Sequence, residues 1–441
     1  MDEVSTGSGS DRAAAHSNDR DCRNLTRSLP LSVLTSRPSW CRVMSLALPS
    51  AHYNVYSMSL AGIYIHIPFC RSRCSYCDFA TGMYESGIAG RYVSALCSEI
   101  KAWQEIDKPS VVDTIYFGGG TPSLLTNSQI ESIAATIHDR FEVADGAEVT
   151  LEINPGDGGA SDASRRESLS QWLTAGINRA SFGAQTFDDR DLKQLGRTHS
   201  SADISSTFQQ LRDAGFANIN FDLIAGLPGQ TLDGWKRNLA AALQLRPEHL
   251  SLYLLDVHEG TPLADQIKSG MRPKPDDDLA GEMYTTMIAE VCAAGYEHYE
   301  ISNFCLPGFA SRHNTKYWNG AAYYGFGCSA HSYDGARRRW ANERDAAKYV
   351  ELIGRNGSPI VERTNLSDED ARSESIFLGL RLMRGIDLAN YEARFGRNLC
   401  SEYNGELDRL MAAGLIEIDS QSLKLTERGA LLSNEVFAAL A

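Results

Sequence analysis

The chain contains no apolar run approaching the roughly 20 residues of a membrane-spanning helix, so no transmembrane segment is expected. It also lacks a basic excess: 42 Lys and Arg stand against 56 Asp and Glu, a formal net charge of -14. A chain of that charge is not organised around electrostatic capture of nucleic acid, which is set aside as a partner. Cysteine is sparse, ten in 441 residues, which excludes a disulfide-stapled scaffold. No secretory leader is legible, because arginines and prolines interrupt VLTSRPSWCRVMSLALPS. Residues 1–58 are rich in Ser, Asp and Arg with weak apolar periodicity. They are expected to be a disordered extension, or to precede a true start at Met44 or Met58; a cleaved organellar targeting segment is the third reading, against which the early acidic residues weigh.

Against that scarcity, three cysteines crowd into one run, IYIHIPFCRSRCSYCDF: Cys70, Cys74 and Cys77. The C-x3-C-x2-C spacing supplies three soft thiolates to an iron–sulfur cluster and leaves one iron without a protein ligand, which points to chemistry rather than electron storage. A structural zinc site would want a fourth Cys or His at close spacing. His66 lies inside a strand-like apolar run and the next cysteine is Cys97, so zinc, a disulfide or three buried thiols are the weaker readings. An open cluster calls for a reducing compartment, and a cytoplasmic location is expected. Cys22, Cys41, Cys97, Cys292, Cys305, Cys328 and Cys400 show no second clustered spacing and read as core or incidental residues.

From Tyr64 onward, apolar β-branched strand candidates at 63–69, 111–119, 149–155, 177–185, 218–228 and 249–257 alternate with helical stretches such as 88–106, 127–141, 202–214 and 231–245. Strand–helix units at this interval predict an α/β fold with a parallel, helix-covered sheet. Polar motifs fall at the strand ends, where such sheets build their sites. After about residue 290 an aromatic- and Gly-rich stretch follows, then a polar segment, then a helix–helix–strand pattern ending in LIEID-x-x-SLKLT, a short two-stranded wing.

The cysteine pattern resembles the radical S-adenosylmethionine (SAM) superfamily. FGGGTPS, LEINP, NRASFGAQTFDD, LGRTHS and DLIAGLPGQT then follow the order of its oxygen-independent coproporphyrinogen oxidase (HemN-like) family over about residues 60–435. The resemblance implies a radical SAM partial (β/α)6 TIM-like barrel with a small C-terminal winged-helix-like domain. The expected divisions are an extension at 1–58, the barrel at 59–290, an aromatic and Gly-rich extension and linker at 291–365, and the C-terminal domain at 366–441. It further implies a 4Fe–4S cluster on Cys70, Cys74 and Cys77, whose fourth iron is chelated by SAM, with reductive cleavage of SAM as the family chemistry. Gly118, Gly119, Gly120 and Thr121 would receive the amino group of SAM, glycine permitting close backbone approach. Glu152 and, at later strand ends, Gln185 and Asp222 would accept hydrogen bonds from hydroxyl or ammonium groups. Arg197 offers a planar fork for the SAM carboxylate. Tyr76 would lie beside the adenine, and Tyr64 is placed with the cofactor residues.

Two branches of the family remain. One oxidatively decarboxylates coproporphyrinogen III; the other comprises chaperones that bind haem and deliver it to respiratory haemoproteins. Three features favour the chaperone branch: CSYCDF has Tyr76 between the last two cysteines and no cysteine two positions after Cys77, the lead-in before the cysteines differs from the oxidase pattern, and His313–Asn314–Thr315–Lys316–Tyr317–Trp318 matches the chaperone HNxxYW motif. The motif admits two readings: His313 ligates haem iron, with Tyr317 and Trp318 giving flat apolar surface to the porphyrin, or the segment is a loop-packing cluster with His313 hydrogen-bonded to the barrel rim. Contact with a membrane surface would be peripheral, and a homodimer is left open. The competing readings are the oxidase, a pure binding protein that holds SAM without turnover, and a methyltransferase-like reaction on a tetrapyrrole.

Overall fold

The computed structural model describes residues 60–106, 111–156 and 162–440. The expectations for residues 1–58 lie outside the described residues.

Six strands, β1 (Ala61–Ile67), β2 (Val112–Gly119), β3 (Val143–Ile153), β4 (Arg179–Gln185), β5 (Ile219–Ala225) and β6 (His249–Leu254), lie side by side in chain order and run parallel. Helices α1 (Ser86–Ala102), α2 (Asn127–Arg140), α3 (Asp162–Thr174), α4 (Ser201–Ala214) and α5 (Leu232–Leu245) make the crossovers, and α6 (Asp277–Ala293) follows β6. This is the partial (β/α)6 barrel that the strand–helix rhythm predicts. In β1 every residue but Tyr64 is buried, as a strand covered by helices on one face and by the barrel interior on the other must be. Capping boxes at Thr126 and Ser200 satisfy the first backbone N–H groups of α2 and α4.

The sheet does not stop at six strands. It extends to twelve, with β7 (Glu297–Glu300), β8 (Asn303–Cys305), β9 (Tyr323–Phe326), β10 (His331–Tyr333), β11 (Arg338–Asn342) and β12 (Ile360–Asn365). β8 pairs antiparallel with β6 and carries β7, whereas β9 pairs parallel with β1 and leads outward through β10, β11 and β12. Much of the stretch expected as extension and linker is therefore woven into both edges of the barrel sheet. These strands are three to six residues long, too short for a period-two pattern to emerge.

The C-terminal region combines helices such as Asp368–Gly379, Asn404–Ala412 and Ser433–Leu440 with a small antiparallel sheet. The expected wing pairs Ile416–Ile418 with Ser422–Leu425, and Ile386–Asp387 adds a third strand to it. Phe377 meets Phe437 edge-on at 4.9 Å within this region. Arg381 ties the region to the barrel, lying 4.2 Å over the Trp318 ring and 3.8 Å from Glu300. No helix of the described residues is long and apolar enough to cross a membrane.

Candidate functional site

A cleft of about 420 Å³ opens at the C-terminal ends of the strands and runs down the barrel interior to Asn314. Cys70, Cys74 and Cys77 line its mouth, and Tyr76, Gly119, Gly120, Thr121, Glu152, Gln185, Arg197 and Asp222 share its walls. Eleven of the fourteen residues singled out in the sequence thus face one space. Gly118, Tyr64 and His313 do not line it.

The cysteine loop is pinned from outside by backbone hydrogen bonds from Ser75 N to the Leu195 carbonyl and from Leu263 N to the Ser75 carbonyl, 3.0 and 2.8 Å. Tyr76 packs with Leu195, Ile224 and Leu227, so its ring both fixes the loop and forms cleft wall. From Cys70 a chain of side-chain hydrogen bonds crosses the barrel rim. Thr121 Oγ1 donates to Cys70 Sγ (3.8 Å), Asn154 Nδ2 donates to Thr121 Oγ1 (2.8 Å), and Arg197 donates from Nη2 to Asn154 Oδ1 (2.9 Å) and from Nη1 to Cys74 Sγ (3.3 Å). The relay begins and ends on cysteines of the same loop. Asn154, one residue past β3, is its hinge; LEINP was read for Glu152, and only the position of Asn154 just beyond that strand end hinted at it.

Arg197 spends its fork differently from the expectation. Nη2 also donates to the Gly183 carbonyl at 2.6 Å, so the guanidinium is held within the protein. A Cβ at Gly183 would run into Gln185 Nε2 and sit 2.8 Å from Arg197 Nη2, so both side chains would have to shift. Gln185, two residues on, adopts φ 64°, a left-handed conformation that non-glycine residues take at a cost of about 1–2 kcal/mol. That backbone reversal ends β4 at the cleft wall.

The GGG segment is small for packing reasons as much as for ligand access. A Cβ on Gly120 would lie 2.6 Å from the Phe69 carbonyl oxygen, and one on Gly119 would lie 2.6 Å from the His66 ring. Glu152 holds this segment in place, its Oε2 accepting from Gly119 N (3.0 Å) and its Oε1 from Tyr116 OH (2.8 Å). Burial, reinforced by the nearby Asp222 carboxylate, pushes the Glu152 acid up to about 7 despite those bonds. Burial also raises Asp222, which accepts from Asn220 Nδ2 at 2.8 Å. A further residue of the cleft lies inside NRASFGAQTFDD but receives no role from the sequence. Arg179, 1% exposed at the start of β4, lines the cleft, and its Nε has no hydrogen-bond partner among the described residues. Its positive charge draws both carboxylates back toward ionisation.

The donor set suits a metal cluster that reserves one position for another ligand, because no further cysteine lines the cleft. The thiols share a wall without converging: among the described residues no three Cys, His, Asp or Glu side chains are arranged as ligands of one metal ion. Burial pushes the Cys70 thiol up to about 11 and raises Cys77 as well. Loading a metal there entails loss of the thiol protons.

The HNxxYW segment departs from its expected place. It forms a helix, Arg312–Trp318, docked at the opposite end of the barrel. Glu148 accepts from the Arg312 and His313 backbone N–H groups, and Asp113 meets Arg312 and Lys316 at 2.9 and 2.5 Å. His313 is 2% exposed, with Nδ1 bonded to Thr114 Oγ1 (2.9 Å) and Nε2 to Tyr317 OH (2.9 Å), and its ring stacks on Tyr116 at 5.2 Å. Thr114 precedes Gly119 by five residues along β2, or about 17 Å at strand rise. Trp318 is covered by Arg381 and Tyr317 packs on Tyr323, so neither presents a free flat face. In this structure the motif is packed, and both imidazole nitrogens of His313 are engaged by neighbouring side chains. Tyr64 places its hydroxyl 3.0 Å from His66 Nδ1.

Fold and site together define a partial βα barrel with a three-cysteine loop at the rim formed by the C-terminal ends of its strands. The Radical SAM superfamily matches residues 64–241 and the HemN C-terminal domain matches residues 366–432. The chain is 37% identical to the heme chaperone HemW of Bacillus subtilis, covering 85% of this chain and 98% of that protein. It is 35% identical to HemW of Lactococcus lactis, covering 85% and 95% respectively. The structure of coproporphyrinogen III oxidase (HemN) from Escherichia coli, a radical SAM enzyme, superposes with a TM-score of 0.75 at 23% identity over 87% of this chain and 90% of that one, a likeness of fold. The chain belongs to the HemN/HemW-like family of radical SAM proteins.

Proposed function

We propose that this protein holds an iron–sulfur cluster and SAM in the barrel cleft, binds haem, and hands it to respiratory haemoproteins in the cytoplasm or through peripheral contact with a membrane. The observation that carries this reading is the 37% identity to a heme chaperone across 98% of that protein's length. The cysteine loop supports it, since Phe79 stands two positions after Cys77, where the oxidase branch carries a further cysteine. When bound, the cluster supplies the electron that the family's chemistry requires. Cys70, Cys74 and Cys77 hold it. Thr121, Asn154 and Arg197 orient two of those thiols, as second-shell hydrogen bonds do at metal sites generally. Glu152 anchors the glycine segment, leaving Asp222 and Gln185 on the wall to accept ligand hydroxyl or amino groups.

The test is anaerobic. The cluster is reconstituted, SAM binding is confirmed, and haem titration is run beside an assay for coproporphyrinogen III decarboxylation. Saturable haem binding without decarboxylated product is expected. Turnover to protoporphyrinogen with weak, unsaturable haem uptake would make the protein an oxidase instead.

A further inference from the structure

A haem-binding protein needs an axial ligand, and the histidines of the described residues narrow the choice. His66, His199, His249 and His313 are buried, at most 6% exposed. His298 is partly buried, stacks on Phe304 at 4.4 Å and approaches the Ile301 carbonyl. His138 and His331 are exposed but do not line the cleft. His258 alone among them does, with its side chain 44% exposed. Its ring makes no hydrogen bond among the described residues: Nδ1 lies 3.7 Å from Asp78 Oδ2 and Nε2 lies 3.9 Å from Asp256 Oδ2.

The surroundings of His258 are unusual for a protein surface. Phe79 (63% exposed), Tyr253 (41%) and Leu254 (36%) line the same cleft, so an apolar rim stands open to solvent around the imidazole. Exposed apolar surface of this kind, edged by charge, marks a ligand or partner site. Two guanidinium groups border it. Exposed Arg73 lines the cleft, and exposed Arg344 donates to the carbonyl of Asp78, next to Phe79. A flat macrocycle with a central metal and two carboxylate arms matches this combination of imidazole, apolar ledge and paired cations.

Building on the haem-binding reading above, we infer that His258 ligates haem iron at the cleft mouth, with Phe79, Tyr253 and Leu254 beneath the macrocycle and Arg73 and Arg344 toward its propionates. One ring nitrogen donates its lone pair to the iron. The other keeps its proton and directs it to Asp78 or Asp256, the carboxylate–histidine–metal arrangement that fixes ring orientation and raises ligand basicity. Haem would then sit over the cysteine loop, on the side of the protein open to a recipient.

The test is an anaerobic titration of cluster-loaded full-length protein with haem, read by the Soret band, for wild type, His258→Ala, His258→Cys and His313→Ala, with thermal melts confirming folding. Wild type is expected to bind one haem with an imidazole-type spectrum that His313→Ala retains. His258→Ala should bind roughly tenfold or more weakly, and His258→Cys should shift the ferrous carbon monoxide complex to the red-displaced band of a thiolate ligand. Unchanged affinity and spectrum in both His258 variants would overturn this assignment and leave haem binding standing. Absence of saturable binding by wild type would overturn both.

Discussion

Arg197 and Cys74, 123 residues apart, meet at the barrel rim, where Nη1 donates to Sγ across 3.3 Å while Nη2 of the same guanidinium holds Asn154 and the Gly183 carbonyl. A single planar group thereby sets the direction of a cysteine thiol and ties the ends of β3 and β4 together. Lysine cannot reproduce this, since a single ammonium cannot span a thiol on one side and two oxygens on the other.

Arg197→Lys is accordingly expected to fold but to weaken metal loading by about 10–100-fold, the usual effect of losing an outer-shell partner. Iron and sulfide content after anaerobic reconstitution at limiting iron measures it. Loading equal to wild type would show that the contact is incidental.

Gly120→Ala should be among the most damaging small substitutions. Its Cβ would lie 2.6 Å from the Phe69 carbonyl and 2.9 Å from the Phe69 nitrogen, backbone atoms that cannot step aside and that directly precede Cys70. Overpacking of this kind costs about 1–3 kcal/mol. Gly82→Ala, with nothing within 4 Å of the new Cβ, is the neutral control. Urea melts of both variants, with iron content, separate the two outcomes.

Stability should fall as pH rises from about 5 to above 7 in the cluster-free protein, in part through Glu152. Its acid is raised to about 7 in the folded state by burial and by Asp222, against about 4.3 in an unfolded chain. The folded state therefore binds the proton more tightly, and ionisation across that window costs about 4 kcal/mol. The favourable contribution is full below the unfolded value and is lost as pH passes the folded one. Glu152→Gln, which keeps an acceptor for Gly119 N, should flatten the dependence of Tm on pH between 5 and 8. An unaltered slope would assign the effect to other buried acids.

His313→Ala should cost about 2–4 kcal/mol of stability, because it removes a buried ring and strands Thr114 and Tyr317. Chemical denaturation measures that loss. A fully stable variant would contradict the packing role that the barrel floor gives this residue.

The parts of this protein legible in sequence are those in which neighbours in the chain are neighbours in space. Three cysteines within eight residues form one loop whatever the rest of the chain does, and β1 to β6 announce themselves because each is a long buried run separated by a helix. The short edge strands β7 to β12 carry no such signature, since pairing with β6 and β1 defines them. The same limit applies to side chains. Glu152, Gln185, Arg197 and Asp222 could be nominated from their strand-end positions, yet Arg179, at the start of β4, lines the cleft because the cleft runs down the barrel interior toward Asn314.

Sequence by itself determined the α/β rhythm, the cysteine loop and the family, because local spacing and apolar periodicity suffice for each. Only the tertiary structure decided what each imidazole can do. His313 and His258 are indistinguishable as letters in a polar context, but long-range packing buries one between Thr114 and Tyr317 and leaves the other open beside Phe79 and Tyr253. Ligation needs a free lone pair and an approach, and both are set by which strands and helices close around the ring.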